Sequence, residues 1–198
     1  MMDLETRLQR TGMYRQPGIP RVEASPPASD PPLETLVEGQ MADTPILCSS
    51  STQETYALDH FGGDPPLADL FSLPLETWAP FLSGQGEPLD PREALFLDTE
   101  TTGLVSGISQ AFLVGIGFFD EQGFTLRQYF MPDYAGESAL LELLANEFGA
   151  HRGLITFNGR AFDWPILASR YLITRRELPS TGTPHLDLLL LARRLWRR

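Results

Sequence analysis

The sequence contains no lysine, so all 15 of its lysine-or-arginine positions are arginine, and it has one cysteine and three histidines. The single cysteine, Cys48, excludes an internal disulfide and a cysteine-based metal cluster. No run reaches the roughly 18 apolar residues that a membrane span requires. The N-terminus lacks the basic start and apolar stretch of a signal peptide. We therefore expect a cytoplasmic protein with no membrane segment.

The net charge of −11 is unevenly distributed along the chain. Residues 1–93 hold 15 acidic residues and 5 arginines, whereas residues 152–198 hold 9 arginines and 3 acidic residues. The acidity therefore belongs mostly to the N-terminal half, and the C-terminal end is a basic strip. That strip, which includes Arg170, is either a solvated helix face or a surface that meets phosphates.

Composition divides the chain into three regions. Residues 1–44 are rich in proline and lack apolar periodicity, which predicts a flexible tail. Residues 45–93 alternate short apolar pieces with turn signals, so we expect a small extension docked on the main domain. This extension should contain a strand pair and a short helix near Leu67–Phe71. Residues 94–198 carry the stronger patterns of a main domain.

The main domain has the predicted element order β-β-β-α-β-α. Three strands precede an amphipathic helix, and the stretch from Asp120 to Gly123 between the second and third reads as a hairpin turn. This order fits three antiparallel strands and a crossover to a parallel fourth, which is an α/β fold. The predicted elements are strands 94–97, 111–119 and 124–131, a helix at 136–149, a strand at 154–157 and a helix that ends near 171.

The first motif lies at the end of the buried strand that begins at Ala94. Asp98 and Glu100 are two residues apart, so they project from the same side of the strand. Two adjacent carboxylates repel each other, and a bound cation would relieve that repulsion. Carboxylate oxygens without cysteine or histidine favour magnesium or manganese. The alternative is a solvated strand end before a Thr-Gly turn.

The second motif runs from a strand through an Asn-Gly turn into a helix. Pro165 places the first helical turn near Asp163, because proline is tolerated there. If the first and fourth strands are parallel neighbours, Asp163 faces Asp98 and Glu100. We therefore predict that these three carboxylates converge on one centre. Asp163 also has a simpler interpretation as a helix cap.

Both motifs resemble those of the DEDD (DnaQ-like) 3′–5′ exonuclease superfamily. The residues that carry the likeness are Asp98-x-Glu100-Thr101-Thr102-Gly103 and Asn158-x-x-x-Phe162-Asp163. The wider pattern, including His185-Leu186-Asp187-Leu188-Leu189, is similar to the YprB-type ribonuclease H-like domain and covers about residues 94–198. The resemblance implies a mixed sheet of order 3-2-1-4-5 with flanking helices.

The resemblance also implies a reaction, which is two-metal hydrolysis of nucleic-acid phosphodiester bonds, acting on single-stranded 3′ ends. Asp98, Glu100 and Asp163 would be the catalytic metal ligands for two Mg²⁺ or Mn²⁺ ions. Nucleotide contacts are expected from Thr101, Gly103, Leu104 and Asn158, the last of which also orders its turn.

The family pattern includes a fourth acidic residue on a late helix, and this sequence has no match to it. His185 and Asp187 correspond to the family's fifth strand, so we expect a structural role for both. The chain is therefore expected to be truncated before the last acidic motif and inactive, or nearly so, by itself.

Two other functions remain open. One is a non-catalytic nucleic-acid-binding or regulatory module that keeps the fold without the full set of acids. The other is a phosphatase of the aspartyl-phosphate kind, since Asp98 begins a similar loop. That chemistry requires a second aspartate where Glu100 stands and normally a lysine, and the chain has no lysine.

Overall fold

The computed structural model describes residues 40–41, 50–63, 65–77, 79–83, 89–179 and 182–196. Most of the predicted tail at 1–44 lies outside these residues. Two residues of that range, Gln40–Met41, form a short strand.

Eight strands of the described residues form one mixed sheet, in the spatial order β1-β2-β6-β5-β4-β7-β8-β3. β4 is parallel to β7, and β7 is parallel to β8, whereas the other neighbouring pairs are antiparallel. In chain order the strands are β1 Gln40–Met41, β2 Ser50–Tyr56, β3 Leu82–Ser83, β4 Ala94–Thr101, β5 Ala111–Asp120, β6 Gly123–Phe130, β7 Gly153–Thr156 and β8 His185–Asp187.

The five central strands confirm the expected order 3-2-1-4-5, because β6, β5, β4, β7 and β8 lie side by side in that sequence. The predicted turn between β5 and β6 is also present. There the Asp120 carboxylate accepts hydrogen bonds from the backbone amides of Gln122 and Gly123. Gly123 has a φ of +139°, and a Cβ at this position would lie 2.2 Å from the Tyr56 carbonyl oxygen, so only glycine fits.

Residues of the N-terminal extension widen the sheet at both edges. β2 pairs with β6 along its whole length, from Ser50 opposite Phe130 to Tyr56 opposite Phe124. At the other edge, β3 pairs with β8. The expected short helix is a 3-10 helix at Leu67–Ser72, and others lie at Leu75–Thr77, Ala79–Phe81, Pro91–Glu93 and Tyr134–Gly136.

In the part of the chain that the structure describes, three α-helices flank the sheet, and they are α1 (Glu137–Ala150), α2 (Asp163–Ile173) and α3 (Leu188–Leu195). α1 and α2 cover one face, where Leu95 and Leu97 of β4 are buried against apolar side chains such as Leu144 and Leu167. Each such leucine contributes roughly 1.5–3 kcal/mol by leaving water. In the described part of the chain, no helix has the length and apolar character to span a membrane.

The opposite face has a smaller core. Ala94, Ile155 and Leu186 are buried there, with side chains of α3 and of the 3-10 helices packed around them. Because side chains alternate along a strand, the residues of β4 with even numbers face this side. The sheet therefore directs Leu95 and Leu97 to one layer, and Phe96 and Asp98 to the other.

Candidate functional site

Asp98 and Glu100 lie where β4 approaches its carboxyl end, and both side chains are exposed. Asp98 is paired across the sheet with Gly115 and Glu100 with Leu113. The register then shifts between Glu100 and Thr101, which marks a bulge at the point where the strand leaves the sheet. Because Asp98 and Glu100 are two residues apart on this strand, the alternation of side chains places them on the same side of it.

Asp163 is the first residue of α2, as the sequence predicted, and only 7% of it is exposed. Its Oδ1 accepts a hydrogen bond of 2.5 Å from the Thr99 hydroxyl. Burial raises the pKa of Asp163 and the nearby charge of Asp98 raises it further, while the Thr99 hydrogen bond lowers it. Asp98 and Asp163 therefore lie close enough for their charges to interact.

The convergence of the three carboxylates on one centre stays a prediction. Among the described residues, no three aspartate, glutamate, histidine or cysteine side chains are grouped so that they could hold a metal ion. The reason is the orientation of Asp163, which turns to Thr99, a residue that alternates along β4 with Asp98 and Glu100. The contact between Thr99 and Asp163 was not predicted from the sequence. The alternation of side chains along β4 did indicate that Thr99 lies on the opposite side of the strand from Asp98 and Glu100.

The donor chemistry at this strand end nevertheless fits a divalent cation. The side chains are hard oxygen donors, which magnesium and manganese prefer. None of the groups that shift the pKa of Asp163 is a cation, so burial and Asp98 together leave its charge poorly compensated. A bound cation would offset the repulsion between Asp98 and Asp163 and the unfavourable burial of the Asp163 charge.

The residues predicted to contact a nucleotide lie at the end of β4 and in the turn after β7. The Thr101 hydroxyl donates to the Gly103 carbonyl at 2.6 Å and closes a tight turn. Leu104 follows with 75% of its surface exposed. Asn158 lies in the turn after β7 and has a positive φ of 67°, a left-handed conformation in which asparagine is enriched. Its backbone amide donates to the Asp187 carboxylate, and its carbonyl accepts a hydrogen bond from the Ala161 amide at 3.1 Å.

The Asp187 side chain holds the turn at Asn158 through hydrogen bonds to its backbone. Its buried carboxylate accepts hydrogen bonds from the backbone amides of Asn158 at 2.7 Å, Arg160 at 3.2 Å and Leu189 at 3.0 Å. The last of these caps α3. These contacts fit the structural role expected for Asp187, because all three partners are main-chain groups.

His185 is buried beside this turn, and its Nε2 lies 2.9 Å from the Thr156 hydroxyl. Burial lowers its pKa from 6.5 to about 4, so the imidazole is neutral at physiological pH. A neutral histidine that is hydrogen-bonded within the sheet fits the structural role expected for it.

An open cavity of about 340 Å³ lies on the face of the sheet that Asp98 shares. It exists partly because Gly115, the cross-strand partner of Asp98, has no side chain to fill it. Aromatic side chains line it, among them Phe96 and Phe157, and 61% of Phe157 is exposed. An acidic strand end therefore borders an apolar and aromatic surface.

The chain belongs to the RNase H superfamily, whose model matches residues 95–198. It is also 40% identical over 104 residues to the uncharacterized protein YprB of Bacillus subtilis strain 168. That match covers 52% of this chain and 25% of YprB, so the chain spans about a quarter of the length of this relative.

Solved structures of E. coli exonuclease I are similar to the chain at low identity. The complex with a 5cy-dA13 oligonucleotide has 15% identity and a TM-score of 0.43, and the complex with a dT13 oligonucleotide has 15% identity and a TM-score of 0.41. Each match covers 52% of this chain and 29% of exonuclease I.

Proposed function

We propose that this chain carries the site of a divalent-cation-dependent nuclease. The reaction is hydrolysis of a phosphodiester bond, and the proposed action is 3′–5′ removal of nucleotides from single-stranded ends. The observation that carries the proposal is the buried carboxylate of Asp163, which lies beside Asp98. The chain that holds them belongs to the RNase H superfamily. Poorly compensated negative charge next to an exposed acidic pair favours the recruitment of cations.

Asp98, Glu100 and Asp163 would hold the cations, two Mg²⁺ or Mn²⁺ ions. When bound, such ions activate a water molecule and stabilise the charge on the leaving oxygen. The chain's own residues set the geometry of these ligands. Thr99 holds the Asp163 carboxylate through its hydroxyl, and Asp187 holds the turn that leads into α2.

Substrate contacts are proposed on both sides of Asp98. Thr101, Gly103 and Leu104 follow the strand and would meet the terminal nucleotide. Phe157 lies across the cavity that Asp98 borders, where an exposed aromatic ring supports an unpaired base by stacking. We assign this nuclease site to residues 94–198 and a supporting role to the sheet edges that residues 45–93 supply.

The experiment is an incubation of the chain with single-stranded oligonucleotides labelled at one end, with Mg²⁺ or Mn²⁺ and with EDTA. Stepwise shortening from the 3′ end that requires the cation supports the proposal. Binding of the oligonucleotide with no cleavage in either cation would favour the alternative, a non-catalytic nucleic-acid-binding module. Equal cleavage in EDTA would contradict the proposed role of the cation.

A further inference from the structure

The loop that follows the acidic pair, residues 102–110 between β4 and β5, exposes its apolar side chains. Leu104, Val105 and Ile108 are 75%, 58% and 79% exposed. Burial of these side chains therefore contributes little to the position of the loop. The loop must instead be held by its polar contacts.

Two sets of hydrogen bonds close the loop on itself. At its ends, the Thr102 amide donates to the Gln110 carbonyl at 2.9 Å, and the Gln110 amide donates to the Thr102 hydroxyl at 3.1 Å. Inside it, the Val105 amide donates to the Ser109 hydroxyl at 3.1 Å. These bonds fix the shape of the loop.

Two further bonds join the loop to α2, the helix that begins at Asp163. The Ser106 hydroxyl donates to the Pro165 carbonyl at 2.9 Å, and the Gly107 amide donates to the Ser169 hydroxyl at 3.0 Å. The loop after Asp98 and Glu100 is thus fastened to the element that carries the third carboxylate.

A buried ion pair lies beneath the C-terminal end of the loop. Arg170 of α2 donates through Nε and Nη2 to the two carboxylate oxygens of Glu137 at 2.6 and 2.7 Å. Glu137 is the first residue of α1, where a helix favours negative charge. Gln110 donates from its side-chain amide to Glu137 at 3.0 Å. Arg170 is therefore committed to an internal pair, and is not one of the arginines available to phosphates.

Stability alone gives a weak reason for this arrangement. The side chains of Arg170 and Glu137 are 13% and 11% exposed, and removing charges from water costs much of what their attraction returns. What the pair supplies is a fixed geometry. It joins α1, α2 and Gln110, the last residue of the loop, at one point.

We propose that Glu137 is a positioning residue for the nuclease site, acting through Gln110 on the loop 102–110. By holding Gln110 against Arg170, it sets the loop and its nucleotide-contacting start at Gly103 and Leu104 relative to α2. This inference rests on the proposed function for its catalytic meaning, whereas its structural part concerns the loop itself.

The sharpest variant is Gln110→Met, because it removes the link between the loop and the ion pair while the pair stays intact. We expect hydrogen exchange at the amides of Gly107 and Ser109 to accelerate. In oligonucleotide hydrolysis, we expect KM to rise about tenfold with kcat nearly unchanged, since the loop contributes binding contacts that are held in both ground and transition states. Thermal stability should change by only a few degrees.

Two substitutions test Glu137 itself, and they differ in whether an acceptor for the Gln110 side chain remains. Glu137→Ala removes every acceptor for Gln110 and leaves Arg170 buried and unpaired, so it should loosen the loop most. Glu137→Gln keeps an acceptor oxygen for the Gln110 amide, so it should restore part of the loop protection and part of the KM. A purely structural role predicts no such ordering at fixed stability.

Glu147→Gln is the matched control. Glu147 also lies on α1 in a partly buried ion pair, with Arg127, and accepts a hydrogen bond from Tyr129, but no described contact joins it to the loop. It should lower stability without changing loop exchange or KM.

The outcomes separate the two levels of the proposal. Unchanged hydrogen exchange at the Gly107 and Ser109 amides in Gln110→Met would overturn the role of Glu137, regardless of the effect on oligonucleotide hydrolysis. Faster exchange with an unchanged KM would also overturn it, because the loop would then not contribute to substrate binding. Should the wild-type chain not cleave oligonucleotides at all, the proposed function fails, and exchange with oligonucleotide affinity then decides the role of Glu137.

Discussion

Replacement of Asp187 by alanine removes the three backbone contacts that hold the Asn158 turn and the start of α3. Loss of a helix cap costs about 1 kcal/mol. Loss of the buried Asp187 carboxylate from the half-buried Asn158 amide costs about 1.5–2 kcal/mol, since hydrogen bonds to charged groups are the stronger ones. The Arg160 contact is longer, and Arg160 is exposed, so water can replace most of it.

We therefore expect Asp187→Ala to lower the free energy of unfolding by about 3 kcal/mol, which corresponds to roughly 6–12 °C in melting temperature for a chain of this size. Asp187→Asn keeps one acceptor oxygen and should lose about half as much. Urea denaturation followed by far-UV circular dichroism measures both values.

Asp133→Ala provides the comparison for this measurement. Asp133 caps a 3-10 helix at an exposed position through one hydrogen bond, to the Ala135 amide at 2.8 Å. Its replacement should cost about 1 kcal/mol or less. If Asp187→Ala left stability at the wild-type value and yet abolished cleavage, the structural assignment would be refuted. Asp187 would then have to be a metal ligand.

Two pH-linked predictions concern the buried titratable groups. Because burial raises the pKa of Asp163 above 3.8, its contribution to stability is complete below that pH and is lost as pH rises through the folded pKa. Without a divalent cation, Asp163→Asn should therefore raise the melting temperature at pH 7 by a few degrees, and a lower value would contradict the sign. Burial lowers the pKa of His185 to about 4, so stability should fall as pH drops from 6.5 towards 4, by up to about 1.4 kcal/mol per pH unit. Denaturation at pH 6.5 and 5 should show a smaller fall in His185→Gln, and an unchanged slope would refute this account.

The sequence predicted the centre of the sheet well and its edges poorly. β4 begins with a buried apolar run and most residues of β5 are apolar and at least partly buried, so their residue pattern is distinctive. β2 reads Ser-Ser-Thr-Gln-Glu-Thr-Tyr, and its pairing with β6 is not visible in that polar composition. Pairing between distant segments depends on register, which a single strand does not specify.

The candidate site shows the same division. The positions of Asp98 and Asp163 at a strand end and a helix start followed from local rules. The direction of the Asp163 side chain did not, because its Thr99 partner lies 64 residues away in sequence. Glu137 likewise resembles any acidic residue in a first helical turn, until the fold brings Arg170 beside it.

The central claim is tested most directly by the cleavage rate of Asp163→Asn relative to wild type in Mn²⁺. Both forms would receive the same single-stranded oligonucleotide, and circular dichroism would verify that both are folded. Because the chain by itself is expected to be nearly inactive, the account predicts that wild type cleaves slowly but measurably in Mn²⁺ and not in EDTA. It predicts that Asp163→Asn loses at least about a hundredfold of that rate, as expected when a group that positions charge at the transition state is removed. A folded Asp163→Asn that cleaves at the wild-type rate would contradict the assignment of this site.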